Sequence, residues 1–206
     1  MASRASSNTS FMSEENPQVV IIAGPNGAGK STLAPFLLRD TLDLQDYVNA
    51  DPIALGLSGF NPSSVAFKAG RVMMNRLRDL AARRKSFAFE TTLATRSYAN
   101  WIASLRNKGY NFQLIFLYLQ SPELAVRRVR ERVQSGGHDV PETVIIRRYA
   151  RGLKNFGAIY QPLANVWSIY DNSSSSKPIL IASGGRHRGL EIRQQEAWTK
   201  FAETNL

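Results

Sequence analysis

Two spacings of apolar residues alternate along this chain. Short unbroken runs read as strands buried on both faces: Gln18–Ala23 (QVVIIA), 86–90 (SFAFE) and 112–119 (FQLIFLYL). Tyr47 with Val48 makes a briefer one, and 165–172 (NVWSIYDN) and 177–183 (KPILIAS) supply two more. Between them the spacing becomes helical. The stretch 30–40 places Leu33, Phe36 and Leu37 on one face, with Pro35 in the first turns, where it is tolerated best. A helix starting at Pro52 follows the second strand. From Asn61-Pro62 a longer one carries Val65, Ala69, Val72, Met73, Leu77 and Leu80 at helical intervals. Further helices are predicted over 97–108 and, at the end of the chain, over 189–203. Strands alternating with helices predict an α/β fold with three layers around a mainly parallel sheet of five to six strands.

The stretch 122–156 breaks this alternation. Two arginine-rich helical patterns flank the non-helical SGGHDVP, which predicts a helical hairpin standing off the sheet as a lid. No internal repeat and no linker interrupts 17–206, so one domain is expected there, preceded by a disordered Ser- and Asn-rich tail over 1–16 without the apolar core of a secretory signal.

Composition narrows the chemistry. The chain has 206 residues and no cysteine, so disulfides, thiolate zinc sites and cysteine nucleophiles are excluded; two histidines, His138 and His187, make a histidine metal cluster a poor expectation. No apolar run approaches the about 18 residues of a membrane span, so a soluble, cytoplasmic protein with no membrane partner is expected. A net charge of +10 favours anionic ligands, phosphate first. The basic residues concentrate at 127–132 (RRVRER) and 147–154 (RRYARGLK), and neither run is interleaved with the aromatics of a single-strand platform, which disfavours nucleic acid.

Gly24, four residues, then Gly29-Lys30-Ser31 completes the P-loop pattern G-x-x-x-x-G-K-[ST] between a predicted strand and a predicted helix. By average residue frequencies the pattern arises by chance in roughly one chain in a hundred of this length. The flanking elements make chance a weaker account still, so the loop from Gly24 through Asn26, Gly27, Ala28 and Gly29 to Lys30, Ser31 and Thr32 is read as the nucleotide site. Backbone amides turn inward as an anion nest, Lys30 reaches the β- and γ-phosphates, and the Ser31 hydroxyl is the expected Mg²⁺ ligand. ATP and Mg²⁺ are therefore the expected cofactors.

The rest of the chain chooses among P-loop activities. A guanine-reading Asn-Lys-x-Asp segment is absent, and FQLIFLYLQSPE ends in Gln120 and Ser121 where a transport ATPase would carry a metal-binding acid. Asp51 follows the second strand, at the edge where ligands collect; it is a base for an acceptor hydroxyl, a cap for the helix at Pro52, or both. Glu90 ends an otherwise apolar strand and reads as a ligand or Mg²⁺ group, with an ion pair to a basic neighbour such as Arg96 as the other reading. In the hairpin, Arg128 and Arg132 share a helical face that Arg148 can meet, a lid that stabilises phosphoryl transfer or a solvated basic surface. Two functions follow: a small-metabolite kinase, and a regulatory NTPase that binds nucleic acid or a protein through its basic lid.

With these residues in view, the chain resembles the zeta toxin family of P-loop kinases and their stand-alone relatives. The resemblance runs over 19–173 and is carried by AGPNGAGKST, VNADPIA, FAFETTLATRSY, GGHDVPETVIIRRY and WSIYDNS. It implies a parallel core with a helical lid and ATP/Mg²⁺-dependent phosphorylation, which in toxin members falls on the sugar 3'-hydroxyl of UDP-N-acetylglucosamine. It further implies Lys30 and Ser31 for ATP and magnesium, Asp51 as base, Glu90 with Thr92 as acceptor holders, and Arg132 and Arg148 on the transferring phosphate. Where the toxins tend to read Glu-Gly-Thr-Leu-Arg, this chain reads Glu90-Thr91-Thr92-Leu93-Ala94, its arginine displaced to Arg96. The expected partners are ATP and a small hydroxylated metabolite; the sequence names no antitoxin.

Overall fold

The computed structural model describes residues 16–137, 139–174 and 177–205. Its first half runs β1 (Gln18–Ala23), α1 (Lys30–Pro35), β2 (Tyr47–Val48), α2 (Ala50–Leu57), α3 (Ala66–Ala82), β3 (Phe87–Thr91), α4 (Ser97–Asn107) and β4 (Asn111–Tyr118). There follow α5 (Pro122–Gln134), α6 (Glu142–Asn155), α7 (Gln161–Leu163), β5 (Val166–Asp171), β6 (Ile179–Gly185), β7 (Arg188–Ile192) and α8 (Gln195–Asn205). Of the predicted tail only Asn16 lies within the described residues, and His138 lies outside them.

All seven strands join one sheet in the order β2-β3-β1-β4-β5-β6-β7. The five strands from β2 to β5 are parallel, while β6 and β7 run antiparallel. Val19 to Ala23 are fully buried because β1 sits mid-sheet with helices on both faces, which is why its sequence reads as continuous rather than alternating. Ala69, Met73, Leu77 and Leu80 turn one face of α3 to the core, and the ring cluster of Phe116, Phe156, Trp167, Trp198 and Phe201 seats α8.

Three local expectations are corrected. The predicted final helix begins at Gln195, because 188–192 instead form β7, whose five exposed residues offer no alternation to read and whose strand state comes from pairing with β6. Phe36 is 60% exposed and Leu38 is buried in its place, since beyond Pro35, which has no N–H to give the helix ladder, the chain continues as a π-helical turn over Phe36–Thr41. Val72 is likewise exposed, one position off the stripe that α3 buries. No helix among the described residues is long and apolar enough to cross a membrane.

Candidate active site

The parallel strands bring β1, β3 and β4 to one carboxyl edge, where the order doubles back around β1 and a crevice opens. Register puts Ile22 beside Glu90 and Ala23 beside Thr91, so the chain leaving β1 enters the P-loop alongside the acid that ends β3. Gly29 takes φ 78° immediately before α1, the left-handed conformation that turns the loop into the helix. A side chain there would meet the Asn172 amide at 2.8 Å. Lys30 Nζ donates to the carbonyls of Gly24 and Pro25, each at 2.9 Å, which bends it over the loop.

A cleft of about 850 Å³ opens above this loop. Asn26, Gly27, Gly29, Lys30, Ser31 and Thr32 form one wall and Asp51, Glu90 and Thr92 another, with Arg132, Arg147, Arg148 and Arg151 closing it from the hairpin. The structure thus brings together most of the residues singled out from sequence. Gly24 and Ala28 of the same loop are buried and do not line the cleft. Arg96 does not reach it: exposed at the start of α4, it is absent from the lining and pairs with no acid among the described residues.

The charges act on one another. Lys30 is lowered to about 8 by burial, aided by Arg132 and Arg148 and resisted by Glu90 and Asp51. Glu90, 9% exposed, is raised above the ordinary carboxylate value by burial, against which hydrogen bonds from Tyr47 and Ser31 and the charge of Lys30 work. Arg148 is lowered by burial, with Asp51 opposing. Among the described residues no three His, Cys, Asp or Glu side chains cluster as a metal cage. The Ser31 hydroxyl and Glu90 carboxylate, 3.1 Å apart, are instead the sparse hard-oxygen set that suits a Mg²⁺ ion held mainly by nucleotide phosphates and water.

Two sequence readings of single residues resolve. The cap of α2 is Asn49, whose Oδ1 accepts from the Asp51 amide at 2.9 Å, so the exposed Asp51 carboxylate is not used as the cap. Arg128 lines the cleft as Arg132 does, and its guanidinium donates to the carbonyls of Asn172, Ser173 and Ser174, which fixes the loop after β5. Asn172 in turn donates to the Ala28 carbonyl at 2.9 Å, bracing the P-loop from behind. Asn49 lies within VNADP, Tyr47 just before it and Asn172 within WSIYDN, but spacing alone assigns them no role in the site, because Glu90, Ser31 and Ala28, which they meet, come from distant segments.

The family model for zeta toxin matches residues 2–181, most of the chain. The chain belongs to the zeta toxin family. Its P-loop is accordingly that of an ATP-binding, kinase-like fold. An uncharacterised protein of Haemophilus influenzae is 27% identical over 132 residues, 64% of this chain and 92% of that one. Among solved structures, the AvrRxo1-ORF1:-ORF2 complex with ATP superposes with a TM-score of 0.72 at 15% identity, covering 93% of this chain and 65% of that one. The sulphate-bound form of that complex gives 0.74 at 13% identity, over the same shares of the two chains. The PezAT toxin–antitoxin system of Streptococcus pneumoniae gives 0.60 at 17% identity, covering 83% of this chain and 75% of that one. At such identities these neighbours establish the fold alone, and this chain spans about two thirds of the AvrRxo1 chain it matches.

Proposed function

We propose that this zeta toxin family member transfers the γ-phosphoryl group of ATP to a hydroxyl of a small metabolite. The observation that supports the reading is that Asp51 and Lys30 line the same cleft, the Asp51 carboxylate being free of the helix cap and within electrostatic reach of Lys30 and Arg148. The acceptor oxygen attacks the γ-phosphorus, the bond to the β–γ bridging oxygen breaks, ADP leaves, and the hydroxyl proton passes to Asp51. Lys30, Arg132 and Arg148 stabilise the charge on the transferring group, and Glu90 with Thr92 holds the acceptor. Ser31 and Glu90 would hold Mg²⁺, which supplies neutralisation of phosphate charge when bound.

The acceptor to try first is a nucleotide sugar such as UDP-N-acetylglucosamine. The Thr91-Thr92-Leu93-Ala94 turn and the outward Arg96 depart from the toxin pattern, so a wider set of hydroxylated metabolites belongs in the same assay. Two of the neighbours named above were solved or described with a second protein, which makes a protein partner for this chain a further proposal. The deciding experiment incubates the full chain with labelled ATP and a metabolite extract and identifies the compound that gains phosphate. Asp51→Ala should lower transfer by two orders of magnitude or more, about 10²–10⁴-fold for loss of a general base, while ATP binding is kept. Full transfer by that variant would remove Asp51 from the mechanism.

A further inference from the structure

Glu90 and three other polar side chains close a ring that phosphoryl transfer does not itself demand. Tyr47 donates its hydroxyl proton to Glu90 Oε1, and Ser31 Oγ donates to Oε2 at 3.1 Å. The Asn49 amide nitrogen completes the circuit, donating to the Tyr47 and Ser31 hydroxyl oxygens at 3.3 Å each. The four members come from four segments: the first turn of α1, β2, the cap of α2 and the end of β3. Tyr47 and Glu90 are 43 residues apart and Ser31 and Glu90 59, so no local turn accounts for the arrangement.

A phenylalanine at 47 would fill the same space against the core, where the Tyr47 ring packs, but would leave one oxygen of a buried carboxylate without this donor. With Oε1 held by Tyr47, Oε2 is directed at Ser31. We propose that Tyr47 and Asn49 are positioning residues: they hold the Glu90 carboxylate against the Ser31 hydroxyl, so that both oxygens are oriented together for the divalent cation of the incoming nucleotide. Asn49 also caps α2 through its Oδ1, so the same side chain ties this oriented pair to the backbone of Asp51. The donor and acceptor halves of the cleft therefore share one polar hinge.

This inference rests on the ATP-dependent reading above, and its test separates the two. Calorimetry on the full chain gives the Kd of ATP with Mg²⁺ and with EDTA, and the ratio of the two is the readout. Tyr47→Phe should leave the metal-free Kd within about twofold and reduce the ratio about tenfold, the scale on which residues that orient metal ligands act. Asn49→Ser keeps a capping oxygen and loses the amide donor, and it should reduce the ratio in the same direction with little change in melting temperature. If Tyr47→Phe fails to fold, Asn49→Ser carries the test with that same expectation. A ratio unchanged in the variants while the wild type responds to Mg²⁺ overturns the ring proposal alone. Equal losses in metal-free affinity and melting temperature also overturn it, because they mark a merely structural role. A wild type that binds ATP under neither condition overturns the ATP-dependent reading and the ring with it, whereas one that binds ATP equally under both overturns the ring alone.

Discussion

Lys30 is the residue on which the charges of the site converge, and its protonation gives a measurable consequence. Burial lowers it to about 8 in the free protein, so above that pH the amine is increasingly neutral. A bound triphosphate favours the ammonium form and raises the value again, so binding takes up a proton once the pH exceeds about 8. ATP affinity should therefore be flat below pH 8 and fall by up to about tenfold per pH unit above it. Calorimetry in two buffers of different ionisation enthalpy checks this by counting the proton taken up, and equal heats at pH 9 would refute it. The sign for folding is opposite: a cation disfavoured in the folded state costs stability below pH 8, and that cost is relieved as pH rises from about 8 toward the ordinary 10.5. The lysine and its loop were legible from sequence because the nest is local, within eight consecutive positions. Asn172 was not, since it braces Ala28 from 144 residues away and no spacing rule reaches that far.

The hairpin helix α6 is docked on the turn after β3 by contacts that shape the proposed acceptor wall. Leu93 is fully buried at φ 54°, an unusual conformation for a bulky residue, and both of its backbone polar groups are held. Thr91 Oγ1 accepts from its amide at 3.1 Å, and the buried Asn155 of α6 donates to its carbonyl at 2.7 Å. Gly152 of α6 comes so close to this turn that a Cβ would stand 2.3 Å from the Thr92 carbonyl oxygen. In an isolated helix Gly→Ala gains about 1 kcal/mol. Here the obstacle is backbone, so the helix must move, and overpacking of this kind costs about 1–3 kcal/mol. Gly152→Ala should thus lower the melting temperature by a few degrees, about 2–4 °C per kcal/mol of net loss, and raise the KM for the acceptor more than that for ATP. An unchanged or raised melting temperature would show that the lid has slack at this contact. The hairpin as a pair of helices was legible from the two arginine-rich helical patterns that flank SGGHDVP, whereas β7 was not, because every residue in it is exposed and only pairing with β6 makes it a strand.

Across the whole molecule the net charge is +10, and several of the arginines behind it line the cleft. On the outer faces of the hairpin, arginines meet acids: Arg130 lies 2.5 Å from Glu142, and Arg127 lies 3.9 Å from Glu131. Such exposed pairs contribute little to stability, yet they lower the charge offered to a polyanion outside. Arg132, Arg147, Arg148 and Arg151 line the cleft together with Lys30, a space with room for a triphosphate and an acceptor rather than for a duplex. The molecule should therefore bind a mixed oligonucleotide weakly, and ATP should displace what does bind, because both would draw on the same inward arginines. A fluorescence anisotropy titration at low salt, repeated with ATP at saturation, measures this directly. Oligonucleotide binding that ATP leaves untouched, with a salt slope corresponding to six or more phosphates, or about −5 for double-stranded DNA, would move the function to the outer face of the hairpin and favour a regulatory NTPase over a kinase.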